Sequence, residues 1–93
     1  MYSYDPDNGL TSDQASRIIG CETALWGEYA DDTNWIQIAF PRSIAVSERF
    51  YSPSSVNNIT EFTDRLELQR CRLVQRGYNV SPVAPSSCNI IYV

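Results

Sequence analysis

A short apolar run, Ile18-Ile19-Gly20-Cys21-Glu22-Thr23-Ala24-Leu25-Trp26, constrains this chain more than any other feature. Polar and apolar residues do not alternate along it, which suits a β-strand buried on both faces. Such a strand needs neighbouring strands, because buried backbone groups must find hydrogen-bond partners. The rest of the chain supplies none. One strand and a few helices do not close a sheet, so the chain is expected to be part of something larger.

The remaining pattern is helical or turn-like. Asp5-Pro6-Asp7-Asn8-Gly9 is dense in turn formers. Thr11 or Ser12 is placed to cap a short helical stretch reaching Arg17. Asn34 is placed to cap a helix carrying Trp35, Ile36, Ile38 and Ala39, and Pro41 should break or kink it. Arg42 to Phe50 then reads as a second helix with Ile44, Ala45 and Val46 inward. Asn58-Ile59-Thr60-Glu61 resembles a capping box, and Ile59, Phe62, Leu66 and Leu73 follow at helical offsets. That helix runs to about Arg76, with Gly77 as its terminator.

Composition excludes several classes of function. With 93 residues there is room for at most one small domain. No apolar run approaches the roughly 18 residues of a membrane helix, so no membrane span is expected. Without a single histidine there is no histidine catalysis and no histidine metal site. All seven cations are arginines, the net charge is −4, and there is no basic stripe, which argues against nucleic acid. With no Cys-x-x-Cys and no histidine, no metal site is expected, and no cofactor is expected beside it. Three cysteines, Cys21, Cys71 and Cys88, allow one disulfide and leave one thiol, a weak sign of an oxidising compartment. The first residues are polar and acidic, so any targeting segment is expected upstream of them.

Taken alone, Trp26 reads as a core residue and Glu28 as a solvated loop carboxylate. Asp31-Asp32 reads as a solvated or helix-start pair, where negative charge favours the helix dipole. Glu22 inside the apolar run needs a partner, since a buried unpaired carboxylate is costly; Arg42 and Arg49 are the candidates. Asn58-Ile59-Thr60 and Asn79-Val80-Ser81 are N-glycosylation sequons, the second followed by Pro82.

The hexapeptide Ala24-Leu25-Trp26-Gly27-Glu28-Tyr29 resembles the C-terminal part of the β-N-acetylhexosaminidases, glycoside hydrolase family 20. The likeness continues colinearly through Asp32-Thr33-Asn34, Pro41-Arg42 and Ala45-Val46-Ser47-Glu48-Arg49. It runs on through Asp64-Arg65-Leu66, Arg70-Cys71-Arg72 and Arg76-Gly77 to Cys88. Cys21 stands where such enzymes usually carry Gly, Phe40 where Trp is usual, and Phe50-Tyr51 where Leu-Trp is usual. These swaps keep apolar bulk.

The resemblance implies an α/β class: the C-terminal fragment of a (β/α)8 TIM barrel, its last strand plus terminal helices, predominantly helical when isolated. On that reading residues 1–93 are a partial catalytic domain. The last barrel strand covers about 18–26, helices cover about 34–50 and 59–76, and a disulfide-pinned tail covers 77–93. A complete barrel needs about 250 residues. The family's catalytic Asp-Glu dipeptide is absent here, so no catalytic residue is expected in this chain and it should be inactive alone.

The resemblance further implies that the intact enzyme removes terminal N-acetylglucosamine or N-acetylgalactosamine from glycans by substrate-assisted retaining hydrolysis. Trp26 would line the acetamido pocket and Glu28 would bond the outer hydroxyls of the sugar. Tyr29 would reach the site rim or a subunit interface. Cys71 and Cys88 match the family's C-terminal disulfide, against the alternative of two free buried thiols, and Cys21 is then a buried free thiol. Expected partners are the rest of the barrel and a homodimer mate, in a lysosomal or secreted setting. Two rival readings stand beside this one. The chain is a truncated, non-catalytic product that binds sugar or pairs with a full-length subunit, or it is a self-standing disulfide-stabilised helical domain.

Overall fold

The computed structural model of the chain describes residues 2–85 and 88. Four helices follow in order: α1 (Ser12–Ala15), α2 (Trp35–Ala39), α3 (Arg42–Tyr51) and α4 (Ile59–Gln75). Each boundary has a local cause. Thr11 caps α1 through a reciprocal capping box, its Oγ1 accepting from Gln14 N and its own N–H donating to Gln14 Oε1. The helix stops at Ala15, short of the expected Arg17. Pro41, joined to Phe40 by a cis peptide bond, separates α2 from α3.

The best-capped element is α4. Asn58 Oδ1 accepts from the N–H groups of Thr60 and Glu61, at 3.0 and 3.2 Å. At the other end Gly77 takes φ +90°, a conformation side chains disfavour. Its N–H donates to Val74 O and the N–H of Tyr78 donates to Leu73 O, a Schellman closure.

The core is thin. Among the described residues only Tyr2, Pro41, Phe62, Cys71 and Val80 are buried. Tyr2 stacks on Phe62, and Arg65 donates both to Tyr2 Oη, at 3.4 Å, and to Glu48 Oε1, at 2.7 Å. This joins the N-terminus to α3 and α4. The tail is tied twice. Cys71 and Cys88 form a disulfide, and Ser81 donates from Oγ to Gln37 O at 2.7 Å and from N to Phe40 O at 3.2 Å. Residues 86–87 and 89–93 of the expected tail lie outside the described residues.

The expected strand takes another form. Residues 18–26 run without a ladder partner, and among the described residues there is no β-strand. The run lies beside α3 and leaves an open groove of about 570 Å³, lined in part by Ile18, Cys21, Val46 and Phe50. Ile19 is 99% exposed. A strand needs a neighbour to pair with, and none is present among the described residues. Cys21, expected as a buried thiol, is exposed for the same reason.

The dimensions agree with this. The radius of gyration is 15.6 Å, against about 12 Å for a compact domain of this length. The accessible surface is 7280 Å², against about 5,400 Å² for a folded monomer of this mass. The difference, roughly 1,900 Å², is on the scale of one partner's share of a large obligate interface.

Candidate functional site

Immediately after the unpaired apolar run, residues 27–34 form a loop whose second half is held by its own polar side chains. Asn34 is its latch. Its Nδ2 donates to Tyr29 O and its Oδ1 accepts from Asp31 N, both at 2.8 Å. The sequence points to Asn34 as a helix cap. The side chain instead turns back into the loop, and α2 starts with no side-chain cap. Asp31 closes a second small ring, its Oδ1 accepting from Thr33 N at 2.8 Å and from Thr33 Oγ1. Those two Thr33 bonds, the hydroxyl's first, hold the Asp31 carboxyl below its ordinary range. The N–H of Trp35 then donates to Asp31 O, passing the chain from loop to helix.

This latch fixes the backbone between Tyr29 and Asn34, and three larger side chains at or just before it are exposed. Trp26 is 75% exposed, Tyr29 is 90% exposed, and Glu28 is exposed. Glu28 and Tyr29 share the wall of a shallow pocket of about 320 Å³ with Gly27, Asp31 and Asn34. Trp26 stands one residue before that pocket and does not line it. An exposed indole offers a flat apolar face, and an exposed carboxylate accepts strong charge-assisted hydrogen bonds. The Trp26–Tyr29 arc therefore exposes an apolar platform and a polar edge.

The other singled-out residues lie apart from this arc. Glu22 is exposed, and no ion pair links it to Arg42 or Arg49 among the described residues. The pairing expected of it needs the buried environment that the unpaired run lacks. Arg49 instead donates from Nε to Tyr4 O at 3.3 Å, while its Nη1 is buried without a partner. Glu67 lies close to Cys71 and Cys88, with their ligand atoms within 4.8 Å of one another. Both sulfurs belong to the disulfide, so neither is a thiolate free to hold a metal.

Sequence reasoning missed the loop latch and the Tyr2 anchor. The Asp31-x-Thr33 spacing carried a usable signal for the first, an aspartate positioned to accept from the backbone two residues on. The second had no local signal.

Comparison with known proteins gives the family of the chain. A family model described as glycosyl hydrolase family 20, catalytic domain, matches residues 1–54. The chain is similar to the β-hexosaminidase subunit beta of Homo sapiens, 42% identical over 89 residues. That alignment covers 95% of this chain and 16% of the human protein. The mouse β-hexosaminidase subunit alpha is 40% identical over 78 residues, 84% of this chain and 15% of that protein. The Dictyostelium discoideum subunit A2 is 35% identical over 90 residues, 97% of this chain and 16% of that protein. The chain thus spans only a small part of the length of the curated relatives it matches, and by the family match over residues 1–54 it belongs to glycosyl hydrolase family 20.

Proposed function

We propose that this chain is the C-terminal segment of a β-N-acetylhexosaminidase and supplies part of its sugar-binding wall. The catalytic domain of the family is a TIM barrel. On this reading residues 18–26 are the last barrel strand, and the roughly 1,900 Å² of excess surface is what the rest of the barrel covers. The end of the last strand then opens onto the mouth of the barrel, where such enzymes place their chemistry. The single observation that carries the reading is the exposed Trp26–Tyr29 arc directly following an apolar run with no ladder partner among the described residues.

In that setting the Trp26 indole packs against the acetamido methyl and the sugar face. Glu28 accepts hydrogen bonds from the outer hydroxyls of a terminal N-acetylglucosamine or N-acetylgalactosamine, and Tyr29 reaches the rim or a subunit interface. The substrate's acetamido oxygen attacks the anomeric carbon with retention overall. The acid that protonates the leaving oxygen, and the carboxylate that orients the acetamide, lie outside this chain. Docking of the strand also brings Glu22 to the arginines of α3, where Arg49 has a buried nitrogen with no partner. A homodimer and a lysosomal or secreted setting accompany this reading, and the disulfide agrees with the setting.

The test is Glu28→Gln in the whole protein, assayed on an aryl N-acetylglucosaminide. Hydrogen bonds to a charged group are worth about 1.5–3 kcal/mol, so kcat/KM should fall about 10- to 100-fold. An unchanged kcat/KM contradicts the role of Glu28. Turnover of the same substrate by the purified 93-residue chain contradicts the placement of the acid elsewhere.

A further inference from the structure

The two sequons, alike in sequence, differ in the structure. Asn58 is exposed at the start of α4. Its Oδ1 is engaged by the N–H groups of Thr60 and Glu61. Its Nδ2 makes no hydrogen bond among the described residues, and neither does the Thr60 hydroxyl, although Thr60 is exposed. The cap uses the oxygen of the carboxamide and leaves its nitrogen free. An N-linked sugar replaces one N–H at that nitrogen and leaves Oδ1 as an acceptor. The glycan and the helix cap therefore coexist on one side chain.

Asn79 is exposed as well, but the two residues after it are engaged differently. The hydroxyl of Ser81, the third residue of its sequon, donates to Gln37 O at 2.7 Å, and the Ser81 N–H donates to Phe40 O. Val80, between them, is 5% exposed. Pro82 follows directly. Val80 and Ser81 are drawn down onto the C-terminal end of α2, and the Ser81 hydroxyl, which a glycosyltransferase must read, is already bonded.

We propose that Asn58 is an N-glycosylation site and that Asn79 is not. The donor is an oligosaccharide carried on a lipid diphosphate. The bond formed joins Asn58 Nδ2 to the anomeric carbon. The bond broken is that carbon's bond to the diphosphate oxygen, which leaves with the electron pair, and one amide proton passes to a base of the transferase. No oxidation or reduction is involved. The Cys71–Cys88 disulfide is an independent sign of the oxidising compartment in which this transfer takes place. The inference does not depend on the hydrolase chemistry, and its readout is separate from any activity.

The experiment is enzymatic deglycosylation in heavy-oxygen water of the whole protein purified from its source cells, followed by peptide mass spectrometry. Glycan release converts the modified asparagine to labelled aspartate. The label is expected at Asn58 and absent from Asn79. Label at Asn79, at both positions, or at neither overturns the proposal. Two variants separate modification from folding. Thr60→Ala abolishes the sequon but keeps the backbone N–H that the cap uses. Asn58→Asp abolishes the acceptor but remains a good cap. Both should lose one glycan's mass on a gel while keeping the helical circular dichroism of the parent, and a retained glycan in either variant overturns the assignment.

Discussion

The ring of Tyr2 lies stacked on that of Phe62, centroids 4.0 Å apart and planes 12° apart, so the first residues close onto the longest helix. The same tyrosine hydroxyl donates to Val56 O at 3.4 Å and accepts from Arg65 at 3.4 Å. Both bonds are long, while both rings are buried, so the ring rather than the hydroxyl carries the contact.

Substitution at Tyr2 separates the two contributions. Removing a buried aromatic ring costs about 3–5 kcal/mol in a full core, and the thin core here places Tyr2→Ala toward the lower end. Tyr2→Phe keeps the stack and should cost about 1 kcal/mol or less. Denaturant unfolding of the purified protein checks both. Equal losses would mean that the hydroxyl, not the ring, is the anchor.

The Asp31 carboxyl has a distinct pH signature. The Thr33 hydroxyl and N–H stabilise its charged form, so its folded pKa lies below its unfolded value. Its contribution to stability is therefore present above the unfolded pKa and is lost as the pH falls through the folded one. Thr33→Val removes the hydroxyl bond and keeps the N–H bond. Carbon-detected NMR titration should show the Asp31 midpoint moving up toward the ordinary carboxylate range in that variant. An unmoved midpoint would show that the hydroxyl bond does not form in solution.

The disulfide should matter more than any surface ion pair. Closing the loop between Cys71 and Cys88 is worth about 3 kcal/mol on the chain-entropy model. The Arg65–Glu48 pair, 45% and 21% exposed at its two side chains, is held to about 1 kcal/mol or less by solvent screening. Reduction should therefore lower the unfolding free energy well beyond the effect of Glu48→Gln. Comparable losses would contradict this order.

How much was legible in the sequence depended on the distance each signal had to travel. The Asn58 cap, the Gly77 closure and the Pro41 break act within a few residues, and each was readable from its own neighbourhood. The closing of Tyr2 onto Phe62 acts across the chain, and no local pattern encodes it. Asn34 misled because one side chain serves equally as helix cap or loop latch, and the nearby Asp31 and Tyr29 backbone decided for the latch. Glu22 and Cys21 were expected in a buried strand. Their burial depends on partner strands, of which there are none among the described residues, so they stand exposed. The Trp26–Tyr29 arc was legible as chemistry from its residue types and from family resemblance, but its exposure came only with the structure.

The most direct measurement is the mass of the native polypeptide that carries α4, captured from the source cells with an antibody raised against Ile59–Gln75. An unpaired apolar run and a surface far above that of a compact monomer predict a polypeptide several-fold heavier than 10.5 kDa. In it residues 18–26 find their sheet and the missing acid lies upstream. A polypeptide of 10.5 kDa would contradict that account.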